Sequence, residues 1–226
     1  MVNSMNDNAG FTRNRFRGKL YSGRRTILMS LRLSRTIDAA KIVRVAGFDG
    51  FYIDIQHSTI GFDDAAQICS AGLDLGLTPM IRVPSHDRHA KFARLGHRSI
   101  STTAPQTGYE PMDLHGFVEA ANTETMVIAM IESRRGVENV EEIAGVAGID
   151  ALMVGTNDLT VDMGIPGHYG DKHDTPVIAW GIRSLERMAE LVRMGAAPCF
   201  FAGNDIQFLL SAAEREVAEF LDTDLG

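Results

Sequence analysis

The chain has 226 residues, 45% of them hydrophobic and 23% charged, with a formal net charge of -7, enough for one large α/β domain or two small ones. That acidic balance, without any basic run, argues against a general nucleic-acid binder, and no apolar stretch approaches the ~20 residues a membrane helix requires. Cys69 and Cys199 lie far apart in no ligand spacing and read as reduced core residues of a cytoplasmic protein.

Met1 to Gly10 is polar and lacks the apolar segment of a signal peptide, so residues 1–13 are expected to be a disordered tail ahead of one domain spanning 14–226. Asn14 to Leu20 is a basic lead-in, and Thr26–Leu31 reads as a first strand. Ile37 to Ala46 has helical periodicity and is stopped by Gly47. Phe51–Ile55 is a second strand, Phe62–Leu75 a helix closed by Gly76, and Thr78–Val83 a third strand ended by Pro84. Strand and helix alternate, which points to a parallel sheet with helices outside, and a (β/α) barrel leads among such folds. The rhythm then breaks. Residues 85–124 contain no clear strand and offer His86, Asp87, Arg88, His89 and the loop Leu95–Arg98, with a short helix expected from Asp113 to Ala121. Met126–Glu132 and Ala151–Asp158 are two further strands, separated by the helical pattern of Val137, Val140, Ile143, Ala144 and Ala147. Leu159 to Asp174 reads as a loop. Thr175, with Pro176 in the first turn, opens a predicted helix running through Trp180, Leu185, Met188 and Leu191 to about Met194. Pro198–Ala202 is a last strand, followed by Asn204-Asp205 and an amphipathic helix from Ile206 to Phe220.

The chemistry gathers at the strand ends. Two strands joined by one helix are parallel neighbours, so their carboxyl ends share an edge. That places Glu132 beside Asp158, where α/β folds keep their active sites. Two carboxylates so close repel unless a cation lies between them or one is protonated, and a hard divalent ion is the natural occupant. Taken singly, each acid reads equally as a first-turn acid of the following helix. His57 stands three residues after Asp54, an arrangement that suits a general base and suits a surface histidine as well. Arg82 lies within an apolar strand and needs an anion, either Asp54 or the carboxylate or enolate of a substrate. Asn204-Asp205 could cap the final helix.

Phe48–His57, Met80–Pro84, Val127–Glu132 and Val154–Gly164 resemble the HpcH/HpaI aldolase family, and Leu95–Arg98 and Phe200–Asp205 are similar to its later landmarks. The resemblance covers the chain from about Asn14 to Leu210. It implies a TIM-type (β/α) barrel of the phosphoenolpyruvate/pyruvate-binding kind. It also implies a carbon–carbon lyase that cleaves a 4-hydroxy-2-oxo acid to pyruvate or a related 2-oxo acid and an aldehyde. By that resemblance Glu132 and Asp158 hold a divalent metal (Mg, Mn or Co), Arg82 neutralises the enolate, and His57 paired with Asp54 is the base. Backbone amides near Asn157 and Asp158 would hold the substrate carboxylate, and the protein would be a homo-oligomer, trimeric or hexameric.

This chain departs from the family pattern. His89 to Gly96 runs almost directly from the arginine strand to the Gly-His-Arg loop, where the family has a helix and a strand. Gly195 to Asn204 fuses the start of one strand to the next. Six strands are legible, so the barrel is expected to be shortened or incomplete, and Met130 stands where many relatives have a polar residue. Two alternatives go with those gaps: a relative that binds metal and 2-oxo acid without turnover, and a CoA-ester lyase, for which no basic phosphate cradle is visible.

Overall fold

The computed structural model describes residues 10–83, 101–164, 177–179 and 184–223. His86, Asp87, Arg88, His89 and the loop Leu95–Arg98 lie outside them, as do Pro176 and Trp180. The first stretch runs α1 (Arg15–Tyr21), β1 (Thr26–Leu31), α2 (Asp38–Val45), β2 (Gly50–Asp54), α3 (Phe62–Asp74) and β3 (Thr78–Arg82). The second runs α4 (Leu114–Glu124), β4 (Ile128–Ile131), α5 (Arg134–Glu138), α6 (Val140–Ala144), β5 (Ala151–Val154) and α7 (Thr156–Met163). After β6 (Val177–Ala179) come α8 (Leu185–Arg193), β7 (Cys199–Asn204) and α9 (Asp205–Asp222).

The strands form two parallel sheets, ordered β3-β2-β1-β7 and β4-β5-β6. Among the described residues no ladder joins one sheet to the other, so the barrel is not closed. Alternation along the strands explains why they nevertheless share one interior. Met29, Leu31, Phe51 and Ile53 pack outward against Ala39, Ala40 and Val43 of α2 and Ala65 and Ile68 of α3. Their sequence neighbours Leu28 and Tyr52 point the other way and join Ala151, Met153, Ile178 and Phe201 in a second cluster, with Met80, Ile128 and Met130 against it. That cluster draws on both sheets, as a barrel interior does. Phe16 and Leu20 of α1 belong to it as well. At Gly50 a β-carbon would lie 2.2 Å from the carbonyl oxygen of Thr78, so β2 and β3 pair as they do only because this residue is glycine.

Three expectations are corrected. The predicted helix from Thr175 is a strand at Val177–Ala179, and α8 begins only after Ser184, whose side chain accepts from the Arg187 N–H. The Thr-Pro helix-start signal yielded to burial: Ile178 is fully buried in the interior cluster, and β-branched residues suit a pleated, buried position. This makes seven strands among the described residues. Asp158 does not end a strand: β5 stops at Val154, and Asp158 sits in the first turn of α7, which runs on to Met163 through the start of the stretch from Leu159 that reads as loop. The single helix expected between β4 and β5 is two short ones meeting at Asn139. Residues 11–13, assigned above to the tail, also carry contacts. Phe11 packs edge-on against Phe117 at 5.5 Å, and the Thr12 N–H donates to the Gln106 carbonyl at 2.7 Å. No helix among the described residues is long and apolar enough to cross a membrane.

Candidate active site

The inward alternation that buries Leu28 and Tyr52 turns polar at the carboxyl ends of the strands. In the first sheet Leu28 pairs with Gly50, which pairs with Thr78, and Ser30 pairs with Tyr52, which pairs with Met80. Asp54 pairs with Arg82 in the next inward row, and Arg32, two residues beyond Ser30, extends that row on the other side of Asp54. In the second sheet Met130 pairs with Met153, and the following inward positions are Glu132 and Gly155. The last inward row is therefore Arg32, Asp54, Arg82, Glu132 and Gly155. Gly155 makes room for its neighbour: a β-carbon there would lie 3.0 Å from the Glu132 β-carbon and 3.1 Å from its Oε2. All of these but Glu132, which reaches the site through Arg82, line a cavity of about 420 Å³, bounded by Ser30, Arg32, Asp54, His57, Arg82 and Gly155, and by Asn157, Asp158, Phe201, Gly203, Asn204 and Gln207.

Arg82 is the hub. Its Nη2 donates to Glu132 Oε2 at 2.6 Å and lies 3.5 Å from Asp158 Oδ2, while Nη1 is 3.1 Å from His57 Nδ1. The guanidinium thus finds its anionic partners in Glu132 and Asp158, where the sequence had offered Asp54. Burial alone would lower the Arg82 pKa, but the negative charge that Tyr52, Glu132 and Asp54 can carry outweighs it, and the net shift is upward. Tyr52 beneath it is held well above the ordinary tyrosine range, first by burial and then by Asp54. Arg82 and Tyr52 accordingly keep their protons at neutral pH.

Asp54, 4% exposed, serves His57 twice. Its Oδ1 accepts the His57 backbone N–H at 3.1 Å, and its Oδ2 lies 3.4 Å from Nδ1. Nδ1 therefore faces both an acceptor, Asp54, and a donor, Arg82, and can satisfy only one at a time. When Arg82 turns to another anion, Nδ1–H can donate to Asp54 and leave Nε2 as the basic nitrogen. Asn157 and Asp158 line the cavity from the first turn of α7.

Sequence reasoning missed Ser30, Arg32, Gly155, Phe201, Gly203 and Gln207. The alternation Leu28, Ser30, Arg32 was the available signal, but the strand reads as ending at Leu31. Asn204-Asp205 does cap the final helix: Asn204 Oδ1 accepts from the Gln207 N–H at 2.9 Å. Asp205 has a further task. It is buried and accepts from the amides of Arg32, Leu33 and Ser34 at 2.9, 2.9 and 2.7 Å, fixing the turn that carries Arg32.

The donor set bears on whether a metal fits. Two carboxylate oxygens within reach of one guanidinium nitrogen form a hard, doubly negative pair of the kind that suits a divalent ion with water and substrate completing its shell. Among the described residues no group of three or more His, Cys, Asp or Glu gathers, so of these residues only the acid pair is offered to such a shell.

Parallel strands that deliver acids, a guanidinium and a carboxylate–imidazole pair into one cavity define an α/β-barrel enzyme. Residues 33–178 match the family model described as HpcH/HpaI aldolase/citrate lyase, and the chain belongs to that family; it is a carbon–carbon lyase. It is 34% identical to a 4-hydroxy-4-methyl-2-oxoglutarate aldolase of Chaetomium globosum, over 67% of this chain and 68% of that protein. It is 25% identical to a hydroxypyruvate/pyruvate aldolase of Sagittula stellata, over 94% of this chain and 92% of the relative. That alignment spans 243 positions, more than the 226 residues of this chain, so the relative carries internal residues with no counterpart here. The HpcH/HpaI aldolase of Desulfitobacterium hafniense superposes with a TM-score of 0.79 at 22% identity, covering 92% of this chain and 97% of that one, a likeness of fold.

Proposed function

We propose that the protein is a divalent-metal-dependent aldolase that cleaves a 4-hydroxy-2-oxo acid into pyruvate, or a related 2-oxo acid, and a carbonyl fragment. The observation that carries this reading is the convergence of Asp158, Arg82, His57 and Asp54 on one cavity, with Glu132 bonded to the Arg82 guanidinium at its edge. Glu132 and Asp158 would hold the ion, which when bound supplies Lewis-acid polarisation of the substrate's oxygens. Arg82, permanently charged, moves from its carboxylate partners to the oxygen on which the enolate charge develops. Its departure from Nδ1 lets His57 donate to Asp54 and use Nε2 to take the proton of the 4-hydroxyl. The bond between C3 and C4 then breaks, its electron pair entering the enolate, and the proton returned to C3 completes the 2-oxo acid. Backbone amides at Asn157 and Asp158, in the first turn of α7, suit the substrate's C1 carboxylate. The names of relatives that act on 2-oxoglutarate derivatives and on hydroxypyruvate and pyruvate support this substrate class. The exposed Leu209, Leu210, Val217, Phe220 and Leu221 of α9 support assembly of several copies, a trimer or hexamer, which light scattering checks.

The test is pyruvate release from a 4-hydroxy-2-oxo acid with Mg2+ or Mn2+, repeated with a chelator. Release that the chelator abolishes is expected. Folded protein that releases nothing under any metal would overturn the proposal.

A further inference from the structure

We propose that Arg32, with Ser30, binds a carboxylate on the carbonyl half of the substrate, so that the aldol partner is itself an oxo acid rather than a simple aldehyde. This rests on the 2-oxo acid reading above and adds to it the chemistry of the second fragment. The observations lie on the side of the cavity that the cleavage step does not use. Ser30 Oγ is buried, lines the cavity and has no hydrogen-bond partner among the described residues. Arg32 Nε is buried and likewise lacks one; its nearest carboxylate oxygen, Asp54 Oδ2, is 3.9 Å away, beyond hydrogen-bond range. Among the described residues, Arg32 gives a hydrogen bond through Nη2 alone, donating to the His57 carbonyl at 2.6 Å. Buried donors left without acceptors are costly, and here two of them line one cavity.

Their position fits the division of the substrate. Arg32 and Arg82 flank Asp54 from the neighbouring strands β1 and β3, two strand spacings or roughly 10 Å apart at the backbone. With Arg82 and the acid pair taking the 2-oxo half, and the 4-hydroxyl at His57, substituents on C4 extend away from Arg82 toward Arg32. Asn204 borders the same side, and its amide oxygen is occupied by the Gln207 N–H, so its NH2 group is what it offers a ligand. Two donors of the guanidinium, a hydroxyl and an amide NH2 form a set suited to a carboxylate and poorly suited to an alkyl group. The three amides that Asp205 fixes hold the Arg32 turn in place before any ligand arrives.

Calorimetry with two unreactive ligands tests this without turnover. They are 2-oxoglutarate and 2-oxopentanoate, which share a skeleton and differ in a terminal carboxylate against a methyl group, each titrated into Mg2+-supplied protein. The wild type should prefer 2-oxoglutarate by at least about tenfold, the range expected of a hydrogen-bonded charge. In Arg32→Leu that ratio should fall toward one, and Ser30→Ala should reduce it a few-fold, with circular dichroism reporting the fold of both. A wild type without preference, or a ratio unchanged in both variants, overturns the inference. Equal weakening of both ligands in Arg32→Leu also overturns it, because Arg32 would then act only by positioning Asp54 and His57. If neither ligand binds the wild type, the 2-oxo acid reading fails and this inference with it.

Discussion

The two sheets contribute opposite halves of one site. The sheet β3-β2-β1-β7 supplies the carboxylate–imidazole pair Asp54–His57 and both guanidinia, from strands packed as a core: Leu31, Phe51 and Ile53 are fully buried beneath α2 and α3. The sheet β4-β5-β6 supplies Glu132 and Asp158 from a thinner frame, in which most of β4 is half-buried and α5 and α6 bury nothing. The acids differ accordingly: the Asp54 side chain is 6% exposed, that of Glu132 34% and that of Asp158 47%. Arg82 is the ionic link from the first sheet to the second. The difference teaches that the Asp54–His57 pair is fixed by packing, whereas the acid pair is held by charge on a more exposed side.

The strongest way to break this comparison is to remove the acid pair. Glu132→Ala or Asp158→Ala should cost several kcal/mol of transition-state stabilisation, on the order of 10³-fold in kcat/KM. Mn2+ binding measured by electron paramagnetic resonance should weaken in parallel while circular dichroism stays native. Retained Mn2+ affinity in both would sever the second sheet from the metal role. His57→Ala and Asp54→Asn should lose roughly 10²–10³-fold in kcat and leave Mn2+ affinity nearly intact; coupled loss of metal would erase the division between the sheets. Two glycines sharpen it further. Gly155→Ala presses on the Glu132 carboxylate and should cost about 10–100-fold in activity with little change in Tm, as disturbing a ligand's support does. Gly50→Ala drives a methyl against the Thr78 carbonyl and should instead destabilise by about 1–3 kcal/mol, read as a drop in Tm.

The smallest effect concerns pH. Burial pushes the Cys69 and Cys199 thiols up to about 12, Asp49 adding to the shift of Cys199. A thiol whose folded pKa is raised stays protonated in the folded state while the unfolded chain begins to ionise near 9.0. The stability it contributes is complete below that value and is lost as pH rises toward 12. Tyr52 acts in the same direction from its ordinary value of 10.0 upward. Denaturant midpoints should fall across that alkaline range, and both thiols should react slowly with a thiol reagent at pH 8 in the folded protein.

Much of the fold is legible because its signals are local. Short apolar runs place β1, β2 and β3 within a residue or two, and helical spacing with its stop glycines places α2 and α3. Val177–Ala179 escaped because a Thr-Pro start signal and three apolar residues look helical until a neighbouring strand is there to pair with them. At the site, Asp54, His57, Arg82, Glu132, Asn157 and Asp158 were all visible as polar residues in or just after apolar runs; the structure brings five of them to one cavity and ties Glu132 to it through Arg82. Arg32 was hidden because it lies one residue beyond the end of β1, where the apolar run no longer marks the alternation.

The sequence by itself determined the class of elements, their parallel order and the chemistry at their carboxyl ends, since each follows from side-chain periodicity within a dozen residues. Tertiary structure alone decided which charges meet. Arg82 pairs with Asp54 in the ladder yet gives its hydrogen bonds to Glu132 and His57, its Nη2 also within 3.5 Å of Asp158. Ser30 and Arg32 face the same space as Asn204, some 170 residues distant along the chain. Those meetings depend on sheet curvature and on neighbours across strands, quantities set by the packing of the whole chain and encoded in no single stretch of it.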